Sequence, residues 1–429
     1  MIDAARRAFQ LPDLRQKIIF TFAMLAVYRL AAHVPVPGVN QAQLRQLVEG
    51  NQLLGLLSLF SGGALETFSL AALGVYPYIT ATIVMQILQP VIPRLAELAK
   101  EGEAGRTRLS QYTRMLTVPL ALLQAYAQAT LLAREGIITN FGLFDRTTFL
   151  PTVSLCLTLT AGTMFLVWLG ELITEKGVGN GISLIIFAGI VARLPAIIAQ
   201  QFVAGSNWIG LVVLAVVGML IVLSIVYMNE GQRRITVHYA KRIRGNRQYG
   251  GTTTYIPLRV NSAGMIPLIF AMSILLIPGT VATYFQGSDI EWVRNIANVV
   301  VSLFNTQNAF YWVLYFVLVV GFTYMYTAIV FQQQNLPETL QKQGGFIPGI
   351  RAGRPTADYL SRVLNRITLL GALFLGVIAV LPFLVGAVTG TTVLTLSTTG
   401  ILIVVGVVLD TMKQLEAQLM MRRYEGFIK

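Results

Sequence analysis

Ten runs of apolar residues, each near the length that crosses a bilayer, constrain the fold of this chain more than any other feature. They occupy 18–36, 75–92, 115–133, 151–170, 182–198, 208–228, 263–283, 310–331, 367–387 and 395–409. A helix needs about 20 mostly apolar residues to cross the hydrocarbon core. Charged residues make up only 12% of the 429, against about 25% in soluble domains. So few charges could not cover the soluble cores that such a length would otherwise fill. Lipid is the expected solvent, and the expected class is an all-α membrane protein.

Charge placement predicts the orientation. With a cytoplasmic N-terminus, 26 of the 32 Lys and Arg fall in cytoplasmic segments, the bias that the positive-inside rule demands. Both termini are then cytoplasmic. The net charge of +13 reads as basic loops rather than a nucleic-acid surface. The first run follows an amphipathic segment, 4–16, and lacks a small-residue cleavage site, so it reads as a span rather than a removed signal peptide. Ten spans divide into five and five. A duplication of an odd number gives an inverted repeat with a cavity between the halves. The hinge would be the external loop 204–207.

The spans hold almost no charge at mid-depth, where one costs about 2.5–3.5 kcal/mol on insertion scales. Arg29, His33 and Arg193 fall toward outer ends, and Glu171, Glu230 and Asp410 toward cytoplasmic ends. They read as interfacial anchors and loop partners. No proton relay or intramembrane acid–base pair emerges. His33 and His238 are the only histidines and lie far apart, so no metal site is expected. Cys156, the one cysteine, reads as a small buried residue. Gly177-Val178-Gly179-Asn180-Gly181 follows an apolar run and no Gly-Lys-Ser/Thr follows it, so it reads as a tight turn. No cofactor is expected.

Two features ask for more than ten simple spans. The stretch 51–73 is apolar but broken by Ser61-Gly62-Gly63 and carries Glu66. It reads as a half-helix. Irregular backbone at membrane depth must be buried in protein or line a cavity, so the segment either dips into a pore or lies outside as a surface helix. Two cytoplasmic loops, 229–262 and 332–366, are basic yet contain turn residues and aromatics, and Thr252–Ile256 suggests a hairpin. They are either docking surfaces for an acidic or polyanionic partner or simple topogenic charge.

Several motifs in order then carry a resemblance. They are Leu59-Phe60-Ser61-Gly62-Gly63-Ala64-Leu65, Gly74-Val75-Tyr76-Pro77-Tyr78-Ile79, Lys100-Glu101-Gly102-Glu103-Ala104-Gly105-Arg106, Trp168-Leu169-Gly170-Glu171, Gly179-Asn180-Gly181-Ile182-Ser183, Gly231-Gln232-Arg233-Arg234 and Gly345-Phe346-Ile347-Pro348-Gly349-Ile350-Arg351. Over essentially its full length the chain resembles the SecY/Sec61-alpha family, the pore-forming subunits of the Sec translocon. The resemblance implies two pseudo-symmetric five-helix halves, 1–203 and 208–429, around a central pore. It implies a ring of aliphatic side chains at the constriction: Val75, Ile79, Ile182, Ile186, Ile269 and Ile403. Val75 departs from the isoleucine common at its position. A re-entrant plug corresponds to 56–73, centred on Leu59, Phe60, Ser61, Gly62, Gly63, Ala64, Leu65 and Glu66.

The resemblance also implies a lateral gate between the runs 75–92 and 263–283, through Thr80, Ile83, Gln86, Ile87, Ile274 and Leu275. Arg242, Arg244, Arg247 and Arg351 match the docking loops for the SecA ATPase and the ribosome, with ribosomal RNA met only through ribosome docking. The further partners implied are the small membrane subunits SecE and SecG, preprotein signal sequences and the lipid bilayer. The implied place is the bacterial cytoplasmic membrane. Such a channel is passive and not an enzyme; a partner supplies the energy. The rival classes are a secondary transporter, which would want a polar site at mid-depth, and an intramembrane enzyme, which would want a catalytic pair inside the spans.

Overall fold

In a computed structural model, the described residues are 11–425 without 51–53, 56, 59–60, 139–140, 143–144, 204–207, 240–241, 245–246, 250–252, 265, 289, 306–307, 352 and 390–391. The predicted plug residues Leu59 and Phe60 lie outside them. The first part of the chain forms α1 (Pro12–Ala31), α2 (Gln41–Gly50), α3 (Tyr76–Val91), α4 (Pro93–Lys100), α5 (Glu103–Arg134), α6 (Arg146–Lys176), α7 (Gly181–Val203) and α8 (Trp208–Glu230). Strands β1 (Gln232–Tyr239), β2 (Arg242–Arg244), β3 (Arg247–Tyr249) and β4 (Thr253–Arg259) follow. The rest is α9 (Ile266–Phe285), α10 (Glu291–Leu303), α11 (Ala309–Gln334), α12 (Leu336–Lys342), β5 (Gly345–Phe346), α13 (Arg354–Thr389) and α14 (Thr392–Glu425).

Each of the ten apolar runs falls on or overlaps a helix. Among the described residues, five helices (α5, α6, α9, α11 and α13) are long and apolar enough to cross a bilayer by length and composition, and six if α3 and α4 count as one bent span. The bend between α3 and α4 is 104° and has a local cause. Ile92 precedes Pro93, whose ring pushes the preceding residue out of the helical region; Ile92 sits at φ −100°, ψ 112°. Pro93 then occupies the first turn of α4, where a missing N–H costs nothing.

Several threonines within the helices are satisfied locally. The hydroxyls of Thr113, Thr117, Thr160 and Thr323 donate to carbonyls four residues back, at 2.6–2.9 Å. Such bonds let a threonine sit in an apolar run without an unpaired donor. Large apolar side chains on several helices face outward, among them Phe22, Met115, Leu150, Met219 and Val313. An outward apolar coat of this extent suits lipid and not water.

Contacts divide the chain into two compact units. One comprises Met1–Gly218, Met272–Trp312 and Pro382–Lys429; the other comprises Met219–Ala271 and Val313–Leu381. A core in the first unit gathers Leu65, Phe68, Ala72, Ala125, Ala129, Leu132, Leu155 and Leu159. A smaller cluster joins Leu14 and Ile18 of α1, Val178 of the α6–α7 turn and Leu415 of α14.

In the second unit the two basic loops fold together. The expected hairpin forms as β1 and β4, antiparallel from Gln232 opposite Arg259 to His238 opposite Thr253. β5, from the other loop, pairs with the far end of β1, His238 opposite Phe346 and Tyr239 opposite Gly345. Ile235, Val237, Leu258, Leu340, Ile347 and Leu360 make a core beneath them. Topogenic charge alone requires no such core.

Candidate channel seal and gate

The broken segment is buried. Ser58, Ser61, Ala64, Leu65, Phe68, Ser69, Ala71 and Ala72 are all 3% exposed or less. Its helical part lies at 54–55 and 57–58 among the described residues, and 61–75 runs as successive turns. The expected half-helix thus gives way to turns at the glycines. The physical reason is local: Gly62, Gly63, Phe68 and Gly74 have positive φ, 66°, 86°, 41° and 58°, and that region is cheap for glycine and incompatible with a continuing helix. Amide-to-carbonyl bonds three residues apart hold the turns, including Glu66 to Gly63 and Phe68 to Leu65, both 3.1 Å. Val36 and Leu70 donate across to Phe68 and Val34 at 2.9 and 3.0 Å, tying the segment to the stretch after α1.

Side chains of α1 and α7 grip the same segment. The Tyr28 hydroxyl donates to the Ser61 carbonyl at 3.2 Å, and Arg29 donates to the Gly62 carbonyl at 3.0 Å. From α7, Arg193 donates to Ser58 Oγ at 3.0 Å and forms an ion pair with Glu66. Ser58 Oγ in turn donates to Glu66 Oε1 at 3.3 Å. The backbones touch too: a Cβ on Gly189 would stand 2.8 Å from the Gly62 Cα, so both positions need glycine. Arg29 and Arg193 were expected as anchors or loop partners; here each partners the segment. Tyr28 and Gly189 carried no assigned role in the sequence reading.

Beside the segment lies an apolar cavity of about 180 Å³, within the first unit. Leu54, Leu73, Tyr76 and Thr80 line one wall, Leu120 and Gln128 of α5 another, and Ile277, Thr280 and Val281 of α9 the third. Of the gate residues, Thr80 thus faces the cavity. Ile83 and Leu275 are buried, Gln86 and Ile274 are half-buried, and Ile87 is exposed. One contact that the sequence did not reveal joins the two gate helices: the Tyr76 hydroxyl donates to the Ser273 carbonyl at 2.8 Å. Ser273 offers a carbonyl, as every residue does, so nothing in its identity advertised the bond.

Of the ring residues, Val75, Ile79, Ile186 and Ile403 are buried in the first unit and Ile269 is buried in the second. Ile182 is half-buried, its Cδ1 pressed toward Gly170 of α6. Near the end of α6, Glu171 forms an ion pair with Arg114 of α5 at 3.2 Å, so this carboxylate has a partner. Of the docking residues, Arg351 is exposed. Arg242, Arg244 and Arg247 lie on the small β2–β3 hairpin, with Arg244 opposite Arg247 and Arg242 opposite Tyr249.

A bundle of apolar helices with an irregular segment packed inside it, and an apolar cavity at its flank, has the architecture of a membrane channel. The family model of SecY matches residues 69–412. A SecY protein translocase subunit from Streptomyces galbus is 46% identical over 442 aligned positions, covering 100% of both chains. The chain belongs to the SecY family, the channel subunits of the protein translocase. Solved structures share the fold. One is a SecY whose plug domain stabilises the closed state of its translocation channel and maintains a membrane seal; its TM-score is 0.65 at 18% identity, covering 94% of this chain and 92% of that one. Another is the Sec61 of a canine ribosome–channel complex, with TM-score 0.60 at 17% identity and the same coverage.

Proposed function

We propose that this chain passes unfolded preproteins across the bacterial cytoplasmic membrane and releases sufficiently apolar segments sideways into lipid. Ten spans in two five-helix halves, with both termini cytoplasmic, surround the pore. The segment 56–73 is its plug, and Val75, Ile79, Ile182, Ile186, Ile269 and Ile403 form its constriction. The observation that carries this reading is the burial of the glycine-jointed segment under α1 and α7, beside the cavity between α3, α5 and α9. A cargo of arbitrary sequence requires a pore without specific polar ligands, and an aliphatic constriction meets that need and also dewets against ions. The cavity between α3 and α9 suits an apolar signal segment, which gains about 0.3–0.6 kcal/mol per Leu, Ile, Val or Phe on moving into lipid.

SecE and SecG are the small membrane partners, and SecA or the ribosome docks on the folded basic loops and supplies the drive. The deciding experiment is transport into proteoliposomes. With this chain, its small subunits, motor, ATP and a preprotein, a protease-protected product is expected inside the vesicles. Absence of protection, with motor ATPase intact and the chain correctly inserted, counts against the reading.

A further inference from the structure

We propose that Glu66 and Arg193 form a charged latch that holds the segment 61–74 in place and sets how readily the channel opens. The inference rests on reading that segment as the plug. Its observation is a specific set of contacts. The plug carries one carboxylate, Glu66, on an otherwise apolar and small-residue stretch. That carboxylate is ion-paired to Arg193 and accepts from Ser58, while Arg193 also holds Ser58. The side chains of Glu66 and Arg193 are only 27% and 21% exposed, so water screens the pair weakly. Two cations reach the segment from different helices, Arg29 from α1 at the Gly62 carbonyl and Arg193 from α7 at Glu66.

The geometry makes the latch bistable. The apolar contacts of the segment are with side chains that any alternative packing could replace. The ion pair is specific: Glu66 and Arg193 hold each other and share Ser58, and separating them strands two partly desolvated charges. The plug therefore cannot drift out by degrees; it leaves when the pair breaks. Neutralising Glu66 has a larger effect than neutralising Arg193, since it leaves two arginines facing the plug with no carboxylate between them. Arg193 and Glu66 are positioning residues: neither belongs to the aliphatic constriction or to the path of the cargo.

The test uses the full chain in proteoliposomes, with potassium efflux as the resting readout. Glu66→Gln and Arg193→Gln are each expected to raise resting leak several-fold, Glu66→Gln the more. The reversal, Glu66→Arg with Arg193→Glu, is expected to return the leak toward the parent value, and Arg193→Lys to retain most of the seal. Hydrogen exchange at the amides of 61–74 should quicken in the Gln variants and slow again in the reversal, with the other helices unchanged; a merely structural loss would quicken exchange throughout. Translocation of a precursor with a weakened signal segment should rise in parallel with leak. Parent-like leak in both Gln variants overturns the latch, as does a reversal no tighter than either single variant. Failure of both Gln variants and of the reversal to accumulate counts against it too, whereas accumulation recovered by the reversal supports it. Deleting 61–68 separates the two readings. If the deletion leaves leak unchanged, the plug reading itself falls; if the deletion leaks while the Gln variants do not, the plug stands and the latch falls.

Discussion

Val75, Ile79, Ile186, Ile269 and Ile403 are all at least nine-tenths buried, and their chemistry is carbon alone. Such side chains exclude water and ions without bonding to a passing chain. On the proposed reading of these residues as the constriction, exchange of Ile79, Ile182 and Ile403 together for glycine removes the barrier, and resting conductance in planar bilayers is expected to rise at least several-fold. Parent-like conductance in the triple variant would count against their place at the constriction. The motifs offered these residues only through the resemblance, since a seal of the proposed kind needs no more than size and apolarity. Arg193 was not legible in the same way. A lone cation near the end of an apolar run reads as an interfacial anchor, and its carboxylate partner lies 127 positions away. Only the packing of α7 against the broken segment brings the two together.

The elements that matter most are those whose helical pattern is interrupted. Ser61-Gly62-Gly63 predicted a break in the segment, and it is irregular, but its extent as turns rather than as a half-helix followed from four positive φ angles that the apolar pattern conceals. The run 75–92 was read as a span ending at Ile92, and the structure adds the 104° turn into α4, which the Ile92-Pro93 pair sets locally. The apolar cavity lies between α3 and α9, and the Tyr76–Ser273 bond joins them; on the proposed reading a signal segment parts these surfaces. Cysteines at Thr80 and Ile277, which face the cavity from the two helices, can be joined by a short bifunctional maleimide in a Cys156→Ala background. Cross-linking is expected to reduce preprotein transport at least tenfold, with the uncross-linked variant active. Transport undiminished with the link formed would rule out parting of these helices as a required step.

For the molecule as a whole, the basic loops are the clearest gain from tertiary structure. Their charge was readable, and Thr252–Ile256 was readable as part of a hairpin, but the pairing of β5 with β1 links loops about a hundred residues apart in sequence and no local pattern encodes it. Arg351 stands exposed on this folded layer, outside its core. Arg351→Glu is therefore expected to leave the amount of inserted protein unchanged while lowering motor-driven translocation several-fold; equal losses of both would make Arg351 a structural residue. By itself the sequence determined that the chain belongs in lipid, the places of ten apolar runs, each on or overlapping a helix, and the near absence of charge at their centres, because hydropathy and charge act on each segment singly. The tertiary structure decided the turns of the broken segment, its grip by Tyr28, Arg29 and Arg193, the cavity beside it and the union of the two loops. Those depend on which distant surfaces meet, and apolar surfaces are interchangeable until packing chooses among them.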